Sequence, residues 1–141
     1  RGSERVVDFG CGSGILAIAA LKLGAGCALG VDNDPQAVVA SRDNAQRNDI
    51  DTDDFTVVMP DDGVIAQWDD SADLMVANIL AGPLVELADQ LIRLTAPGGT
   101  ILLTGVLEAQ VPELIERYRN VNLEVNQQRD GWVLLEGQKP S

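Results

Sequence analysis

Three glycines at alternate positions, Gly10, Gly12 and Gly14, follow the apolar run Val6-Val7-Asp8-Phe9. An apolar helical segment starts straight after them, at Ile15. This order reads as a buried strand, a tight turn and a helix N-terminus. Glycine lets backbone approach a ligand closely, and the helix start adds free N–H groups and a positive dipole end. Such a loop at the carboxyl end of the first strand of an α/β sheet is a cofactor cradle. The dinucleotide fingerprint is G-x-G-x-x-G. Here the third glycine comes one position early and Ile15 stands in its place, so a dehydrogenase is disfavoured. The second chemical residue is Asp32, at the tip of the short apolar run Cys27-Ala28-Leu29-Gly30-Val31. An ionised carboxylate only accepts hydrogen bonds and takes two donors at once, which suits the two hydroxyls of a ribose. Asn33 follows it, and Asp34 before Pro35 has the form of an N-cap with proline at the first helical position.

Other groups exclude chemistry. The chain of 141 residues has no histidine, so imidazole acid–base catalysis is absent. Its two cysteines, Cys11 and Cys27, lie in or beside buried strands and read as small core residues. No metal site is expected: the pairs Asp53-Asp54, Asp61-Asp62 and Asp69-Asp70 read as solvated loop acids. Trp68 and Trp132 read as core. A net charge of −12 argues against direct nucleic-acid binding, which depends on Lys and Arg against phosphate. No apolar run reaches the ~20 residues of a membrane span.

Strands and helices alternate to position these groups. Strands are expected at residues 5–9, 27–31, 55–59, 72–77 and 100–104, the last introduced by Pro97-Gly98-Gly99. Helices are expected at 14–23, with Leu16, Ala19, Ala20 and Leu23 inward, and at 35–48, with Ala37, Val38, Ser41 and Ala45 inward. A short helix is expected at 64–68. A longer one begins near Pro83 with the core stripe Leu84, Leu87, Leu91 and Leu94. A helix over 108–119 carries Val111, Leu114, Ile115 and Tyr118. The tail changes period: Val121, Leu123 and Val125 alternate with polar residues. Asp130-Gly131 then marks a hairpin turn before the apolar run Trp132–Leu135. The pattern predicts an α/β, doubly wound, mostly parallel sheet closed by a C-terminal antiparallel hairpin.

The spacing D-x-G-x-G-x-G resembles the first motif of Rossmann-like S-adenosylmethionine-dependent methyltransferases, whose sheet has seven strands. The segment Val76-Ala77-Asn78-Ile79-Leu80-Ala81-Gly82-Pro83-Leu84 narrows the likeness. So do Asp8–Ala20, Asp34-Pro35-Gln36-Ala37 and Ala40-Ser41-Arg42-Asp43-Asn44-Ala45. Together they resemble the bacterial ribosomal protein methyltransferase family, which trimethylates amino groups of the large-subunit stalk-base protein.

The resemblance implies S-adenosyl-L-methionine as cofactor, held by Gly10, Gly12, Asp32, Asn33 and Asn78. It places Asn78 at the methyl-transfer end. The substrate it implies is a ribosomal protein, methylated on lysine side chains with the N-terminus as a further target. It also implies that residues 1–141 form the catalytic domain, without the substrate-recognition domain or the threonine-bearing segment that the family carries upstream. Binding and activity of the 141 residues alone are in question for that reason. A monomer in the cytoplasm, without membrane attachment, is expected. Methyl transfer from a sulfonium needs alignment of a neutral amine more than acid–base help. The Asn78 side-chain carbonyl, with the Ile79 and Leu80 carbonyls, suits that alignment, and no catalytic acid or base is assigned. Two other readings stay open. One is methylation of another nitrogen, such as a nucleic-acid base, a protein amide or a small molecule; base and amide enzymes carry N-P-P-Y or N-P-P-F where this chain has Asn78-Ile79-Leu80-Ala81. The other is an inactive cofactor-binding module.

Overall fold

The computed structural model describes residues 3–141. Strands β1 Arg5–Phe9, β2 Cys27–Val31, β3 Phe55–Val58, β4 Ala72–Asn78, β5 Thr95–Leu107, β6 Glu124–Arg129 and β7 Trp132–Gln138 belong to one sheet. Its order is β3-β2-β1-β4-β5-β7-β6. The α-helices are α1 Ile15–Lys22, α2 Pro35–Arg47, α3 Ala81–Glu86, α4 Ala88–Leu94 and α5 Val111–Arg117. The expected α/β class, the largely parallel sheet and the closing antiparallel hairpin are all present. The chain divides into two compact units, one ending at Trp68 and one spanning Asp69–Ser141.

In the first unit β1 pairs in parallel with β2, Val7 opposite Leu29, and β2 with β3, Leu29 opposite Thr56. Strands buried on both faces read as continuous apolar runs, and Val7, Leu29 and Val31 are fully buried. Helix α2 follows the amphipathic reading, with Val38, Ser41 and Ala45 buried. Helix α1 does not. Its buried residues are Ala17 and Ile18, while Leu16 and Leu23 are exposed. The segment is apolar on every side, so periodicity carries no contrast and cannot name the inward face. Trp68 is buried as expected, with the Arg5 guanidinium 4.2 Å from its ring centre. Cys11 is buried, whereas Cys27 is only half-buried, and both are free thiols.

In the second unit β4 pairs in parallel with β5, Met75 opposite Ile101, and β5 pairs antiparallel with β7, which in turn pairs with β6. The expected single helix from Pro83 is two helices that meet at Leu87. The cause is a capture of carbonyls by α5. The Tyr118 hydroxyl donates to the Leu84 carbonyl at 2.7 Å, and Arg117 Nε donates to the Val85 carbonyl at 3.1 Å. Continuation of α3 needs those carbonyls for the N–H groups four residues on. The leucine stripe still packs inward, with Leu84, Leu91 and Leu94 fully buried. Tyr118 is itself fully buried, and desolvation raises the pKa of its phenol. Tyr118→Phe should therefore cost about 1–2 kcal/mol of unfolding free energy, because it strands the Leu84 carbonyl. Urea titration checks this; an unchanged midpoint would refute it.

The tail departs from expectation in two places. Val121 lies in a 3-10 turn, Arg119–Val121, and β6 starts only at Glu124, with every residue exposed, Val125 included. Val121 and Leu123 are buried as single anchors rather than as one face of a strand. Trp132 is 54% exposed, not core. It opens β7 straight after the Asp130-Gly131 turn, paired with Leu107 at the end of β5 and with Arg129 at the end of β6.

Candidate functional site

The glycine loop leaves β1 at Phe9. Gly10, Gly12 and Gly14 all have positive φ, 83°, 55° and 83°. Residues with side chains rarely hold that conformation. Gly14 is also the N-cap residue of α1, and a Cβ there would meet Ser41 at 3.1 Å. A Cβ on Gly12 would meet nothing within 4 Å, so this side of the loop is open. The loop hangs on β2: Gly10 N–H and Cys11 N–H both donate to the Val31 carbonyl, at 2.6 and 3.0 Å.

Asp32 stands half-buried at the tip of β2, as expected. Its Oδ2 accepts from the Gly12 N–H at 2.9 Å and its Oδ1 from the Asp34 N–H at 2.9 Å. A carboxylate offers about four lone-pair sites, so each oxygen keeps one acceptor site. Asp34 caps α2 by accepting from the Gln36 N–H at 2.9 Å, with Pro35 in the first turn. Asn33 between them is exposed, and its side chain makes no hydrogen bond with a described residue. Beside the start of α2 a cavity of about 670 Å³ opens between Pro35, Val38, Val39, Met59, Asp61 and Gly63. It contains none of the five candidate residues. A cavity in the second unit, about 870 Å³, is lined by Val121, Glu124, Glu136 and Lys139 among others and holds none either.

Asp8, the acid that opens the D-x-G-x-G-x-G spacing, lies under the loop, and two α2 side chains that the sequence did not single out as site residues, Ser41 and Asn44, brace it. Asp8 is 1% exposed, and neither carboxylate oxygen has a hydrogen-bond partner among the described residues. Burial pushes its pKa up to about 6; the backbone N–H of Ala17 opposes the rise, and the Asp32 charge adds to it. The α2 side chains Ser41 and Asn44 reach the loop from the other side. Ser41 Oγ donates to the Gly12 carbonyl at 2.7 Å, and Asn44 Nδ2 donates to the Ser13 carbonyl at 2.9 Å. The signal for Ser41 was a hydroxyl on the inward stripe of an amphipathic helix, since a buried hydroxyl needs a partner. Cys11 lies 3.5 Å from Ser41 Oγ, and burial pushes its thiol up to about 11.

Gly10, Gly12 and Asp32 thus meet in the first unit, with Asn33 on its surface. Asn78 belongs to the second unit. It is the exposed last residue of β4, opposite Thr104 of β5. Gly105 lies beside it, φ 73°, where the pairing of β5 with β7 shifts register. A Cβ on Gly105 would come within 3.0 Å of Asn78 Oδ1, so glycine there leaves the amide its room. Of the two backbone carbonyls grouped with Asn78, that of Leu80 already accepts from the Leu84 N–H at 3.0 Å, the opening bond of α3. Among the described residues no cluster of three or more Cys, Asp or Glu side chains is placed to hold a metal, and no helix is long and apolar enough to cross a membrane.

Comparison with known proteins identifies the family. The family model described as Ribosomal protein L11 methyltransferase (PrmA) matches residues 1–140. The ribosomal protein L11 methyltransferase of Chromohalobacter salexigens is 51% identical over 141 residues, covering 99% of this chain and 46% of the relative. That of Nitrosomonas europaea is 48% identical over 143 residues, covering 96% and 45%. The chain therefore spans about half the length of the curated relatives it matches. A crystal structure of a ribosomal protein L11 methylase from Lactobacillus delbrueckii subsp. bulgaricus superposes with a TM-score of 0.80 at 32% identity, covering 96% of this chain and 70% of that one. An RNA methyltransferase from Salinibacter ruber, in complex with S-adenosyl-L-homocysteine, shares the fold with a TM-score of 0.71 at 17% identity, over 99% and 83% of the two chains. By family match and by identity, the chain belongs to the ribosomal protein L11 methyltransferase family.

Proposed function

We propose that these residues form the S-adenosylmethionine-binding, methyl-transferring part of a protein amine methyltransferase whose substrate is a large-subunit ribosomal protein. The single observation that carries the cofactor reading is Asp32, held at the tip of β2 by two backbone donors and still offering one acceptor site on each oxygen. That suits a pair of ribose hydroxyls. The open face of Gly12 leaves space for the ligand against backbone. The cavity of about 670 Å³ beside Pro35 and Met59 falls in the size range of small-molecule sites. When bound, S-adenosylmethionine supplies an electrophilic methyl group on a sulfonium.

The chain's part of the reaction is orientation. The Asn78 carboxamide oxygen accepts an N–H of the substrate amine and so directs its lone pair. A carboxamide is not a base, and the amine proton leaves to water. Recruitment of the ribosomal protein is assigned to the additional length that the relatives carry. Methylation of a base or other planar group is the second reading. The aliphatic Ile79 and Leu80 after Asn78 disfavour it, since neither offers a flat face for stacking.

Calorimetry with S-adenosylmethionine and NAD in parallel tests the cofactor. Binding of the methyl donor alone is expected, and preference for NAD would overturn the reading. In methyl-transfer assays on the isolated ribosomal protein, Asn78→Ala in the longer protein, with the additional length that the relatives carry, should depress kcat more than cofactor affinity. An equal loss in both would place Asn78 in cofactor binding instead.

A further inference from the structure

We infer that Ser41 and Asn44, on α2, are positioning residues that aim the backbone N–H of Ser13 at the bound cofactor. The inference rests on the cofactor reading of the glycine loop and adds a donor to it. Gly12 is pinned at both ends. Its N–H is spent on Asp32 Oδ2 at 2.9 Å, and its carbonyl takes the Ser41 hydroxyl at 2.7 Å. A trans peptide is planar, with its C=O and N–H on opposite sides. Holding the Gly12 carbonyl toward α2 therefore turns the Ser13 N–H away from α2. The next peptide is fixed in the same manner: Asn44 holds the Ser13 carbonyl at 2.9 Å, and the Gly14 N–H closes onto the Cys11 carbonyl at 2.8 Å. Among the backbone donors from Gly10 to Gly14, the Ser13 N–H alone has no partner among the described residues. Ser13 is half-buried, and its N–H is free to meet an acceptor on a ligand.

The brace is itself locked. Ser41 is fully buried, and its one hydroxyl proton goes to Gly12. The Cys11 thiol must then be the donor in the 3.5 Å contact with Ser41 Oγ. Burial keeps that thiol protonated, which preserves the sequence Cys11 to Ser41 to Gly12. Glycine at position 14 leaves Ser41 its room, since a Cβ there would meet Ser41 Cβ and Oγ at 3.1 Å.

Two variants separate aiming from packing. Ser41→Ala removes the donor to Gly12. Asn44→Asp keeps the shape of the side chain but faces the Ser13 carbonyl with an acceptor. Hydrogen exchange of the amides from Gly12 to Ala17 and calorimetric titration with S-adenosylhomocysteine are run on each, well below the melting temperature. Both variants should bind about tenfold more weakly and exchange faster in the loop, the loss of one backbone-directed hydrogen bond each. Parent-like affinity in either variant, or a loop that exchanges at the parent rate, would overturn the inference alone. A parent chain that does not bind S-adenosylhomocysteine would overturn the cofactor reading with it.

Discussion

Asp32→Ala should weaken S-adenosylmethionine binding by roughly 1.5–3 kcal/mol, the range for hydrogen bonds to a charged group. That is a loss of about tenfold to a hundredfold or more. The carboxylate serves twice. It offers its spare acceptor sites to the ligand, and it holds the Gly12 N–H that shapes the loop. It also closes the turn into α2 through the Asp34 N–H. Alanine removes all three, so the melting temperature should fall as well, by the equivalent of about 1 kcal/mol for donors that water can partly reach. Asp32→Asn should rescue little, because its NH2 group would face one of the two backbone N–H donors. Calorimetry paired with thermal melts checks both effects. Parent-like affinity in Asp32→Ala would remove the ribose role.

The second large effect concerns Asp8 and has the opposite sign. A buried carboxyl without partners costs stability when it ionises. Its folded pKa stands at about 6, against 3.8 when exposed. The folded state therefore binds the proton more tightly than the unfolded state. Its stability contribution is complete below about pH 4 and is lost as pH rises to about 6 and beyond. The full loss is roughly 3 kcal/mol. Asp8→Asn removes the charge and keeps the shape. It should raise unfolding free energy at pH 7.5 by about 2 kcal/mol and leave it near the parent value at pH 4. Urea denaturation across that range decides. Equal stability of parent and variant at pH 7.5 would contradict an ionised, unpaired Asp8.

The sequence was most legible where one local force dominates. The buried parallel strands announce themselves as apolar runs, and Asp34-Pro35 marks the start of α2 to the residue. The glycine spacing and Asp32 could be read because each needs only its neighbours in the chain. What could not be read depends on partners far along it. The break between α3 and α4 comes from Tyr118 and Arg117, about thirty residues later. The brace from Ser41 and Asn44 spans 29 and 31 residues. Trp132 looks like core by composition and is exposed because it opens β7 at the end of the hairpin. Helix α1 failed for a different reason: with apolar residues all round, its sequence holds no record of which side is inward.

Strand β6 is the last of the sheet order, so one of its edges has no neighbour among the described residues. An open strand edge is a template for adding further copies of a chain, and so for fibre growth. The sequence Glu-Val-Asn-Gln-Gln-Arg answers that hazard. Every side chain is exposed, a charge stands at each end, and the pairing with β7 slips between Val125 and Gln127. A copy added parallel and in register would have to place Glu124 and Arg129 on their own kind and match an irregular register. The hairpin thus closes the fold without offering the next molecule a flat strand to extend.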